Sequence, residues 1–133
     1  MIPSIYIKDK LEASSIGVFG TDLFVGDEPT SPHDSVTVLD AGATQVDNNM
    51  NFNYSGRMVS VIVRNKSYKT AHDLADSIVE ALNKTIYEEY VYEGTTFHIV
   101  GILHFSGPIL LGKDKEQRSK FSLNFEVTYQ KLT

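Results

Sequence analysis

The chain has 133 residues, 41% of them hydrophobic and 22% charged, with a net charge of −5 and no cysteine. That balance predicts a single domain over 1–133 able to bury a core, and it excludes disulfides, thiolate metal sites and a Cys nucleophile. Acids outnumber bases, which argues against nonspecific affinity for nucleic acid, and neither a secretory signal nor an apolar run long enough to span a membrane is visible.

Pro3 to Ser15 reads as a short N-terminal helix. Pro3 suits a first helical turn and Lys8–Ala13 are good helix formers, although Ile5 and Ile7 also alternate as in a strand. Thr21–Val25 reads as a short strand, and Gly26–His33, with Pro29 and Pro32, as a turn-rich connector. Val36 and Val38 alternate with Ser35 and Thr37, the pattern of a half-buried strand that Asp40-Ala41-Gly42 ends. Residues 43–55 are polar, with Asp47, Asn48 and Asn49 at their centre. Such a stretch is either a docking element or a plain surface loop.

Met58–Arg64 has the strongest central-strand pattern. Val59, Val61 and Val63 point one way, and Met58, Ser60 and Ile62 the other. A strand apolar on both faces is covered on both, here by a layer of its own fold on one side and by a neighbouring subunit on the other. Thr70 is placed to cap a helix with Asp73 three residues on. Ala71, Leu74, Ala75, Ile78 and Leu82 form its apolar stripe. Tyr87, Tyr90 and Tyr92 follow among Glu88, Glu89 and Glu93, as an interface cluster or as caps on a sheet edge. Phe97–Phe105 reads as a strand that Gly107-Pro108 breaks, Ile109–Leu111 as a short apolar piece, and Lys113–Arg118 as a solvated loop of mixed charge. Phe121, Leu123, Phe125, Val127 and Tyr129 alternate with Ser122, Asn124, Glu126 and Thr128, which predicts a closing strand with one buried face. The order is α, β, β, β, α, β, β. The fold class is α+β: a mainly antiparallel sheet with one long helix (about 70–84) and a short N-terminal helix packed on one face.

No catalytic set emerges. His33, His72, His98 and His104 form no metal-binding pair; His98 and His104 lie six apart on one strand, which predicts the same face but a wide separation. Asp34 and Asp40 flank a strand with nothing nearby to split their pKa values. No serine sits in a nucleophile elbow, and the glycines form neither a P-loop nor a dinucleotide fingerprint. The expectation is no enzyme, no cofactor and no metal.

The ordered layout carries more. It consists of Asp34-Ser-Val-Thr-Val-Leu-Asp40-Ala-Gly42, Met58-Val-Ser-Val-Ile-Val-Arg64, the helix from Tyr68 to Leu82, Gly107-Pro-Ile-Leu-Leu-Gly112-Lys-Asp114 and Phe121-Ser-Leu-Asn-Phe-Glu-Val127. This series resembles the minor capsid or tail completion family, which includes the tail terminators of long-tailed phages. No single motif is specific; the ordered set, over roughly 34–129, is what carries the resemblance.

The resemblance implies a structural virion protein, made in the host cytoplasm. It implies a homo-oligomeric ring, commonly a hexamer, at the head-proximal end of the tail tube. Such a ring ends tube polymerisation and presents a surface to the head connector, while DNA passes through its lumen without specific binding. The partners would be the tail tube protein and the head connector or completion protein, with no membrane. Candidate assembly contacts are Asp47, Asn48 and Asn49, then Met58, Ser60 and Ile62, then Lys113, Asp114, Lys115, Glu116 and Arg118. The alternatives are a head-completion or connector protein of the same virion and a small-molecule-binding α+β domain.

Overall fold

The structure, a computed structural model, describes residues 1–43 and 54–132. Its elements are α1 (Pro3–Ala13), β1 (Leu23–Val25), β2 (Ser35–Ala43), β3 (Tyr54–Asn65), α2 (Tyr68–Leu82), β4 (Lys84–Tyr92), β5 (Thr95–Lys113) and β6 (Ser119–Lys131). The strands form one six-stranded sheet in the order β1-β2-β3-β6-β5-β4. The class is α+β, as expected, but the sheet is mixed: β1 runs parallel to β2, while the other neighbours are antiparallel. There is also no single dominant helix, since α1 has 11 residues and α2 has 15.

Both helices lie on one face of the sheet and touch each other. Val59, Val61 and Val63 of β3 and Phe121, Leu123, Phe125 and Val127 of β6 are buried beneath them. From above come Tyr6, Ile7 and Leu11 of α1 and Ala71, Ala75, Ile78 and Leu82 of α2. The two alanines let the α2 backbone sit close to the strands. The alternation along β6 holds, with every second residue from Phe121 to Tyr129 buried.

Five local expectations change. Ser67, not Thr70, caps α2: its side chain accepts from the Thr70 amide at 3.2 Å, so the helix begins at Tyr68. The tyrosine-rich stretch is itself an edge strand, β4, absent from the expected order. Its alternation is masked by a register shift between Thr85 and Glu88. Gly107-Pro108 does not end a strand. β5 continues to Lys113 along β6 by absorbing several bulges, each adding a residue and twisting the strand. One bulge, between Ile99 and Gly101, reverses the face parity. His98 pairs opposite Gln130 on the open face and His104 opposite Phe125 on the helix face, so the two histidines do not share a side. Finally, Ser35 and Thr37 are as buried as Val36 and Val38, so β2 begins with both faces covered.

Gly107 is required where it stands. Its φ is +102°, a left-handed value, and a Cβ there would sit 2.4 Å from the Ser122 carbonyl oxygen.

Candidate assembly surface

Three sets of polar contacts fix the surface of the domain. The first anchors α1. Ile2, its N-cap, offers no side-chain acceptor. Asp40, from the end of β2, fills that role across the fold: Oδ1 accepts from the Ser4 amide at 3.0 Å and Oδ2 from the Ser4 hydroxyl at 2.6 Å. A carboxylate there also faces the positive end of the helix dipole. Further along, the Tyr6 hydroxyl donates to Glu88 at 2.6 Å and the Tyr90 hydroxyl to Asp9 at 2.7 Å, while Lys10 pairs with Glu88. Burial first, then the neighbouring carboxylate, pushes both tyrosines well above the ordinary phenol range. Burial works against ionised Glu88, but its bonds to Lys10 and Tyr6 outweigh it and bring its pKa down.

The second set straps the 26–34 connector over one end of the open face. Arg64 is 2% exposed and donates to three backbone carbonyls, those of Pro29, Pro32 and His33. Arg118, 5% exposed, donates to the Thr30 carbonyl and to Asp114, and Lys120 pairs with Glu28 at 2.6 Å. Ser35 pairs directly opposite Arg64, so the buried start of β2 lies beside the residue that holds the connector. Burial, then the nearby Arg118, lowers the Arg64 pKa; Glu28, Asp114 and Glu116 oppose that shift. Burial raises the Asp114 pKa, but the Arg118 amide and guanidinium bring it below the usual carboxylate value. Asp34 accepts from the Lys66 amide at 3.1 Å and Asp40 serves α1, so these two carboxylates are structural ties at opposite ends of β2.

The third set is a polar ladder on the open face. Ser60 donates to Asn124 at 2.6 Å, and Asn124 donates to Ser106 at 3.0 Å, linking β3, β6 and β5. Met58 and Ile62 flank Ser60, opposite Glu126 and Ser122. All three β3 residues are half-buried.

The expected contact residues therefore fall into separate groups. Met58, Ser60 and Ile62 share the open face. Lys113, Lys115 and Glu116 are exposed at the β5–β6 turn, beyond the Arg64 end of that face. Asn65 pairs with Ser119 at the turn; counted along β3 to it, Ile62 lies roughly 10 Å and Met58 roughly 23 Å from the turn. Asp114 is half-buried and Arg118 buried, so this turn is not simply solvated: those two side chains hold the strap. Asp47, Asn48 and Asn49 lie outside the described residues. Sequence reasoning missed the roles of Asp40 and of Arg64 as anchors. An acid or an arginine closing an apolar strand was the signal available, but its partners are 36 and 31–35 residues away.

Among the described residues, no three His, Asp or Glu side chains gather to hold a metal, and no helix is long and apolar enough to cross a membrane. What the residues build is a sheet with charge-locked straps and an open face. The family of bacteriophage tail terminator proteins matches residues 10–131, and the chain belongs to that family. A chain of a solved structure titled "Virion of native gene transfer agent (GTA) particle" is similar in fold, with a TM-score of 0.62 and 14% identity over 92% of this chain and 90% of that one. No curated protein matches.

Proposed function

We propose that this protein ends the growth of a phage tail tube. Copies assemble into a ring, a hexamer, at the head-proximal end of the tube, and the ring's free side meets the head connector. The observation that carries this reading is membership of the tail terminator family over residues 10–131. The mechanism is contact geometry. The open sheet face around Met58, Ser60 and Ile62 and the exposed turn charges Lys113, Lys115 and Glu116 serve as contacts to other virion subunits, on a frame that the Arg64 and Arg118 straps hold rigid. DNA passes through the lumen without specific binding, a reading supported by the net charge of −5. The test is to add the protein to polymerising tail tube subunits and measure tube lengths. A terminator shortens the distribution and caps the tubes at one end; an unchanged distribution assigns the protein to the connector side instead.

A further inference from the structure

The sheet leaves one edge open. β4 pairs with β5 only over Thr95–Ile102, and among the described residues no strand lies beyond β5 from Leu103 to Lys113. Along that edge Leu103, Phe105, Ile109, Leu110 and Leu111 are 47–62% exposed. No Asp, Glu, Lys or Arg interrupts the run from Leu103 to Gly112. Monomeric proteins protect such edges with charge or cover, because unpaired backbone beside apolar side chains recruits another chain. At the end of this edge stand Lys113 and Lys115, both exposed and without an ion pair among the described residues.

The other edge of the sheet carries an unlike patch at the same level. The pairing register runs in one row from Leu110 through Phe121, Val63 and Val36 to Leu23. Phe19 bridges to Leu23 just beyond. Val18 and Phe19 are 60% and 52% exposed. Beside them opens a cleft of about 400 Å³ lined by Glu12, Ile16, Gly17, Val18 and Asp22, among others. The two carboxylates are fixed there: Asp22 accepts from the Val18 amide at 2.8 Å and Glu12 from the Phe19 amide at 3.2 Å. Lys8 pairs with Glu12 at 3.5 Å and lies over the Phe19 ring, so Asp22 is the carboxylate of this cleft that has no cation partner among the described residues. One edge thus ends in lysines and the other in a cleft with a net negative balance, each beside exposed apolar side chains.

We propose that copies of this chain join head to tail. The Leu103–Lys115 edge of one meets the Val18–Phe19 corner of the next, with Lys113 and Lys115 facing Glu12 and Asp22. The occupant is a second copy because the two patches complement each other in charge. They also sit at opposite ends of one cross-sheet row, so each copy offers both halves of the contact. Such a heterologous contact closes into a ring when its rotation closes. The inference rests on the ring reading and names the surface that makes the ring.

The chain has no native cysteine, so engineered ones report the contact directly. Val18→Cys and Leu111→Cys, both at exposed positions, are made separately in the full chain, mixed and oxidised, alone and with tail tube protein. The expected product is the mixed disulfide between the two variants, and the double variant gives a ladder that ends in a closed ring. Self-linked pairs in place of mixed ones overturn the proposal. A ring, detected by mass, that forms without the mixed link overturns this surface but leaves the ring reading standing; absence of any assembly overturns both. As a second readout, reversing Lys113 and Lys115 to Glu raises the concentration for half-assembly by about tenfold or more. Unchanged assembly of that variant rules out the charge pairing.

Discussion

Arg64 closes β3 with a side chain that is almost wholly buried, and three of its five donors serve a connector with no regular structure of its own. Replacing it by alanine leaves three carbonyls short of a charged donor and frees the strap. Arg64→Ala is expected to cost about 3 kcal/mol or more in chemical denaturation, and Arg64→Lys to recover only part, since an ammonium lacks the planar fork. Asp40→Ala uncaps α1 across the fold and is expected to cost about 1–2 kcal/mol by the same measurement. The tyrosines predict a pH dependence. Tyr6 and Tyr90 have raised pKa values when folded, so their contribution is complete below the unfolded phenol value near about 10 and is lost as pH rises beyond it. Thermal melts of the native chain are expected to fall steeply on that alkaline limb, and those of Tyr6→Phe with Tyr90→Phe to fall less. Asp114 and Glu88 act in the opposite sense. Their lowered pKa values give stability that is present above about pH 4 and is lost as pH falls through the carboxylate range.

At the scale of elements, β5 shows where the sequence is legible and where it stops being so. The core faces of β3 and β6 follow strict alternation because both strands are regular over their whole pairing, and α2 declares itself by its 3.6-residue apolar stripe. The first half of β5 is legible as Phe97–Phe105, but its continuation and β4 hide because a bulge adds a residue without changing the strand. Periodicity then resets, and Gly107-Pro108 reads as a stop although the ladder to β6 continues through it. The strap and the α1 anchor were hidden for a different reason: their partners are brought together only by the tertiary fold. Gly107→Ala tests the continuity of β5. The added methyl meets the Ser122 carbonyl and a backbone conformation that L-residues disfavour. A loss of about 2 kcal/mol or more is expected, with faster amide exchange on both sides of the β5–β6 pair beyond Ser106.

For the whole molecule, the family and the open edges belong to one account. A small domain whose sheet is covered by helices on one side keeps an uncharged apolar edge exposed, a hazard for a monomer and an asset for a subunit that must find its neighbours. The candidate contact residues were proposed only through the ordered layout, and the structure divides the described ones by where they stand. Arg118 and Asp114 hold the fold, whereas Lys113, Lys115 and Glu116 remain on the surface. Electron microscopy of the purified protein, alone at high concentration and mixed with tail tubes, tests the central claim most directly. The account predicts closed rings with a central hole wide enough for duplex DNA, seated at one end of each tube. Monomers in solution together with bare tube ends would contradict it.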